Sequence, residues 1–145
     1  MKFPVHIPFV ESLGLELLRF ENGEADMALT PREEQMNAWG VLHGGVTMTL
    51  LDVVMAHAAR SPQAAAEPDP RGVVTIEMKT SFTRPGLGPV LAKGRVLHRT
   101  TSFAFCEASL LDAHGALLAH ATGTFKYLRA LPAGGRQLKR QSASD

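Results

Sequence analysis

Asp52 is a lone carboxylate in the run Leu50-Leu51-Asp52-Val53-Val54-Met55. A charge among such neighbours is costly unless it is partnered, so a use for it is expected. Eight residues earlier, His43-Gly44-Gly45 reads as a glycine-rich entry into a helix. Glycines let a ligand approach the backbone, and a helix's first turn offers unpaired N–H groups at its positive end. Such groups can polarise a carbonyl and stabilise the oxyanion that develops on attack. A positioned Asp can act as nucleophile or general base. Together they point to acyl-transfer or hydrolytic chemistry. Asn37 could donate to a carbonyl or to an attacking water, with loop capping as its competing role. His43 is better suited to bonding local backbone and fixing the loop than to direct catalysis.

These residues need a frame. From about Gly44 to Arg60 the chain is apolar on almost every side, which marks a buried helix rather than a surface one. Before it, Leu15–Phe20 and Ala25–Leu29 read as strands around an Asn22-Gly23 turn, a strong hairpin signal. Pro4 and Pro8 argue against regular structure up to about Glu11. Pro31 through Met36 reads as a short helix or loop. Ser61 to Gly72, with three prolines, is a loop. Four strands follow, at Val73–Phe82, Val90–Arg99, Ser102–Leu111 and Leu117–Tyr127. Strict alternation in the first puts Val74, Ile76, Met78 and Phe82 on one face and Thr75, Glu77, Lys79 and Ser81 on the other. Strands segregated from a single helix make an α+β class, an antiparallel sheet wrapped around that helix. The domain is expected over residues 1–131, with a disordered tail over 132–145.

Helix geometry adds a constraint. Gly44 and Asp52 are ~12 Å apart along the axis at 1.5 Å per residue, too far for both to reach one reacting carbon. Two such helices packed antiparallel about a two-fold axis would bring Gly44 of one chain beside Asp52 of the other.

Bulk properties exclude several classes. At 145 residues, 45% apolar and 20% charged, the chain suits one globular domain. A formal net charge of +1 argues against a nucleic-acid binder. Cys106 is the only cysteine, so an intrachain disulfide or cysteine metal cluster is impossible, which fits a reducing cytoplasm. No apolar run nears the ~18 residues of a membrane span, and the N-terminus lacks a signal peptide's apolar core. His57, His98, His114 and His120 follow no metal-ligand spacing, so no metal is expected. Neither a Gly-x-Ser-x-Gly elbow nor a Gly-x-x-x-x-Gly-Lys loop is present.

The combination of Asn37, Gly40, His43-Gly44-Gly45 and Asp52, with Val73-Val74-Thr75-Ile76-Glu77-Met78 and Phe82-Thr83-Arg84-Pro85, resembles the hotdog-fold acyl-CoA thioesterases of the PaaI-like (phenylacetate-degradation-type) branch. The likeness runs from about Val10 to Tyr127. It implies a hotdog fold and hydrolysis of an acyl-CoA to a carboxylic acid and free coenzyme A, with no separate cofactor. It implies Asp52, the Gly44 N–H, Asn37 and a Thr75 hydroxyl at the site, although alternation places Thr75 on its strand's polar row unless a bulge or dimer seam intervenes. It also implies homodimers with shared sites, often paired into homotetramers. Arg84, Lys93, Arg95 and Arg99 are candidates for the coenzyme A phosphates, with Arg84 and Arg99 preferred. Trp39, Met48, Met55 and Phe82 could line an acyl pocket, or the methionines could be plain core. Rival readings are a non-catalytic acyl-CoA-binding hotdog protein and a thioesterase for carrier-protein-bound acyl groups; the weak net charge does not favour an acidic carrier.

Overall fold

A computed structural model describes residues 1–131 and 134–141; the rest of the expected tail lies outside the described residues. The order is α1 (Pro8–Leu13), β1 (Glu16–Glu21), β2 (Glu24–Leu29), a 3-10 turn (Glu33–Gln35), α2 (Gly44–Arg60), β3 (Gly72–Phe82), β4 (Val90–Arg99), β5 (Phe103–Asp112) and β6 (Leu117–Leu128). The strands form one antiparallel sheet in the order β1-β2-β4-β5-β6-β3. It wraps α2, which touches all six strands. This is the α+β hotdog arrangement.

Local chemistry explains the elements. Asn22 and Gly23 both have positive φ (48° and 79°), the backbone that a two-residue hairpin between right-twisted strands requires. Helix α2 buries Leu50, Leu51, Val54, Met55 and Ala58 completely. The sheet comes so close that a Cβ on Gly94 of β4 would lie 2.8 Å from the Val54 carbonyl oxygen. At the far end of α2, the Tyr127 hydroxyl donates to the Ala59 carbonyl at 2.6 Å and locks helix to sheet.

Three expectations need correction. Pro8 does not prevent regular structure; it occupies the first turn of α1, where its missing N–H leaves no bond unmade. The two faces of β3 are not a single alternation. A bulge between Thr75 and Glu77 inserts Ile76, so Val73 and Thr75 pair with inward-facing Tyr127 and Phe125, and Met78, Thr80 and Phe82 point inward beyond it. Val74 and Ile76 therefore leave the inner face, and Thr75 joins it. The third concerns the tail. Residues 134–141 lie along the domain: Arg140 bridges Val5, the His6 N–H donates to the Lys139 carbonyl at 2.8 Å, and Leu138 packs on Gly72. Contact of the still-exposed Leu138 with Gly72 and backbone pairing to Val5 and His6 hold a segment whose composition alone signals only solvation.

Candidate active site

The loop before α2 is built around Asn37. Its Oδ1 accepts from the N–H groups of Trp39 (2.9 Å) and Val41 (3.3 Å), and Gly40 closes the turn with a φ of 72°. Asn37 is thus the loop's organiser, yet its Nδ2 has no partner among the described residues and remains available to donate. His43 is the N-cap of α2: its Nδ1 accepts from the Gly45 N–H at 2.8 Å. The Gly44 N–H has no partner among the described residues. The His43 N–H donates to the Gln35 carbonyl and Leu42 N–H to the Gly86 carbonyl, so the helix start is held from both sides. Phe82 stacks its ring edge over Gly44.

Asn37, Gly44, Phe82 and Arg84 line one cavity of about 460 Å³. Arg84 has no ion pair among the described residues. The other basic candidates are engaged elsewhere. Arg99 donates from Nε to the Tyr127 hydroxyl (2.8 Å) and from Nη2 to the Ala59 carbonyl (3.1 Å), and lines neither site cavity. Lys93 pairs with Asp26 and Arg95 with Glu107 on the sheet's outer face. Among the pocket candidates, Phe82 alone lines the Gly44 cavity; Trp39 is 88% exposed and Met55 is core.

Two turns along α2, Asp52 accepts a hydrogen bond from the Thr75 hydroxyl at 2.7 Å. The bulge in β3 is what turns Thr75 toward it. Burial raises the Asp52 carboxyl above the ordinary carboxylate range, partly offset by the Thr75 bond. Raising a carboxylate's affinity for the proton makes it a better proton acceptor. Asp52 and Thr75 line a second cavity of about 210 Å³, separate from the Gly44 cavity, with walls from Val5, Ile7, Val53, Val73 and Leu138. His57 and Arg60 line it too. Sequence reasoning weighed His57 only as a metal ligand and passed over Arg60.

The Gly44 N–H and its cavity therefore lie at one end of α2, and Asp52 with its own cavity lies midway along it. The fold is that of hotdog proteins. A family model described as Thioesterase superfamily matches residues 40–119, more than half the chain, and the chain belongs to that superfamily. Two relatives agree. One, from Saccharolobus solfataricus and bearing an esterase name with no substrate in it, is 32% identical over 118 residues, 81% of each chain. The other, the medium/long-chain acyl-CoA thioesterase YigI of Salmonella typhimurium, is 28% identical over 135 residues, 85% of this chain and 87% of that one. The solved structure of a conserved Pseudomonas aeruginosa protein superposes with a TM-score of 0.78 at 30% identity, covering 86% of this chain and 97% of that one.

Proposed function

We propose that the protein is an acyl-CoA thioesterase of the PaaI-like branch, acting as a homodimer whose sites are shared between subunits. The observation that carries this reading is the separation of the two half-sites: Asn37 and Gly44 line one cavity, Asp52 and Thr75 another. The ~12 Å of helix between Gly44 and Asp52 cannot be closed within one chain. A second copy closes it. Among the described residues strand β3 pairs only with β6, and the other edge of this eleven-residue strand is free, with the backbone groups of alternate residues unpaired. Antiparallel pairing of β3 with its symmetry mate would extend the sheet and set the two α2 helices side by side. Pairing of two such dimers into a tetramer, and a cytoplasmic location, belong to the same proposal.

In the shared site the thioester oxygen lies against the Gly44 N–H, with the Asn37 Nδ2 alongside. The carboxylate of Asp52 from the partner subunit either takes a proton from water as that water attacks the carbonyl carbon, or attacks the carbon itself to give an anhydride that water then opens. In both routes the C–S bond breaks, the thiolate leaves and is protonated, and one water is consumed. Thr75 holds the carboxylate in place. Arg84 faces the coenzyme A phosphates at the cavity mouth. The test is release of free coenzyme A across aryl, short, medium and long acyl-CoAs. Release with at least one class supports the reading; tight binding with no release would favour the non-catalytic acyl-CoA binder.

A further inference from the structure

The basic end of the chain, which composition assigns to solvent, lies against the body of the domain. Beside it is a cavity of about 350 Å³ lined by Pro70, Arg129, Gln137, Leu138 and Arg140. Arg129 follows Leu128, the last residue of β6, and the backbone bridge from Arg140 to Val5 holds the tail in place. Among the described residues neither arginine forms an ion pair, and neither do Arg60, Arg136 or Lys139. The acid at hand is taken: the Asp69 carboxylate accepts from Arg71 Nε at 3.0 Å and from its Nη2 at 2.8 Å. These charges are close enough to be felt. Asp69 is held below the usual carboxylate range first by Arg71, and Arg129 adds to the effect. Arg60, lowered mainly by burial, is lowered further by the charge of Arg140. Arg129 and Arg140 lie beyond residues 40–119, the stretch that the superfamily model matches, so membership gives them no role.

Cations gathered without a counter-charge repel one another, and an anion in the cavity removes that cost. Guanidinium forks suit phosphate oxygens in geometry as well as in charge. A round cavity of this volume is about 9 Å across, room for a diphosphate with a hydrogen bond of ~2.8 Å on each side. Position says which phosphate. Leu138 lines both this cavity and the one holding Asp52, so the two adjoin across one leucine. Gly72 pairs with Leu128, so Arg129 stands four strand residues, ~13 Å, along the sheet from Thr75. In coenzyme A about thirteen bonds separate the sulfur from the first phosphorus, ~16 Å at ~1.2 Å per bond of extended chain.

We propose that Arg129 and Arg140 bind the diphosphate of coenzyme A, with the pantetheine arm running past Leu138 to Asp52 of the same subunit. The inference rests on the thioesterase reading and assigns part of its substrate to the tail. Coenzyme A carries a further phosphate on its ribose, so Arg84, on the subunit that supplies Gly44, does not compete for the same group.

The test uses the full-length protein and the double variant Arg129→Gln/Arg140→Gln, with whichever acyl group is released fastest. Loss of binding remote from the reacting atoms should raise KM for the acyl-CoA at least ~10-fold and leave kcat within about two-fold. On 3′-dephospho-coenzyme A, which keeps the diphosphate, the same acyl group should show as large a penalty. On pantetheine, which has no phosphate, wild type and variant should share one KM. Arg129→Lys/Arg140→Lys should recover most of the loss. Calorimetric titration with free coenzyme A should show the same weakening. An unchanged KM for the acyl-CoA in the glutamine variant overturns the inference. So does an equal rise with acyl-pantetheine, which would mean that the tail has merely come away from the Asp52 cavity. A penalty that vanishes with the dephospho substrate overturns it in favour of the 3′-phosphate. All three leave the thioesterase reading standing. If the wild type releases coenzyme A from no acyl-CoA, that reading falls and the titration alone decides. Coenzyme A binding weakened ~10-fold in the glutamine variant then keeps the site, and equal binding or none removes it.

Discussion

Asp52 and His57 sit on the same helix and are both shifted by burial, yet they lead to different expectations. Replacing Asp52 by Asn preserves shape and removes the base. Turnover of the best substrate should drop at least ~100-fold while circular dichroism stays unchanged. A variant within a few-fold of wild type would remove Asp52 from the chemistry. His57 bears on stability. Folded, its imidazole is held down to about 4; in the unfolded chain it takes up a proton near 6.5. Its contribution is present above pH 6.5 and is lost as pH falls from there toward 4. The size is on the order of 3 kcal/mol for so buried a group. Urea denaturation from pH 7 to pH 4.5 should show this loss, and His57→Leu should flatten it. That Asp52 needs a partner was readable from its isolation among apolar neighbours. His57 was not, because nothing in the chain announces that a buried histidine will keep one nitrogen unpaired.

At the scale of elements, β3 shows where sequence patterning succeeds and where it stops. The helix from Gly44 to Arg60 is legible at both ends, since His43-Gly44-Gly45 opens it and Ser61-Pro62 closes it. The bulge at Ile76 is invisible: isoleucine is as good a strand former inside a bulge as outside one, so composition gives no sign of the inserted residue. One residue of slip is enough to carry Thr75 from the outer face to Asp52. Glycines offer a second test. Gly94→Ala would drive a methyl to 2.8 Å from the Val54 carbonyl, where backbone on both sides cannot yield without parting helix and sheet. A loss of about 2 kcal/mol or more in denaturant unfolding is expected. Gly44→Ala meets only the Phe82 ring at 3.5 Å, an ordinary contact, and should fold normally.

For the whole molecule, the tail and the second copy matter most. A tail disordered over residues 132–145 would make truncation after Leu131 silent. The structure predicts otherwise: loss of Leu138 opens the wall of the Asp52 cavity, and loss of Arg140 removes the β-bridge to Val5. The truncated chain should have a lower melting temperature and a raised KM for its acyl substrate; an unchanged value of both would show that the tail does not dock in solution. Among the described residues, no helix is long and apolar enough to cross a membrane.

Composite sites make a demand that no single-chain site can meet. Asp52→Asn removes the acid, and Asn37→Asp keeps the loop-organising Oδ1 while replacing the donor beside the oxyanion with a carboxylate. Each homodimer should be nearly inactive in coenzyme A release. Co-expressed with two different affinity tags and purified through both, the heterodimer should regain one working site, with Asp52 from one chain and Asn37 and Gly44 from the other, and about half the wild-type turnover per dimer. Verified heterodimers that stay as inactive as their parents would contradict the account, because each chain would then have to build its own site and the partner-subunit placement of Asp52 would be wrong.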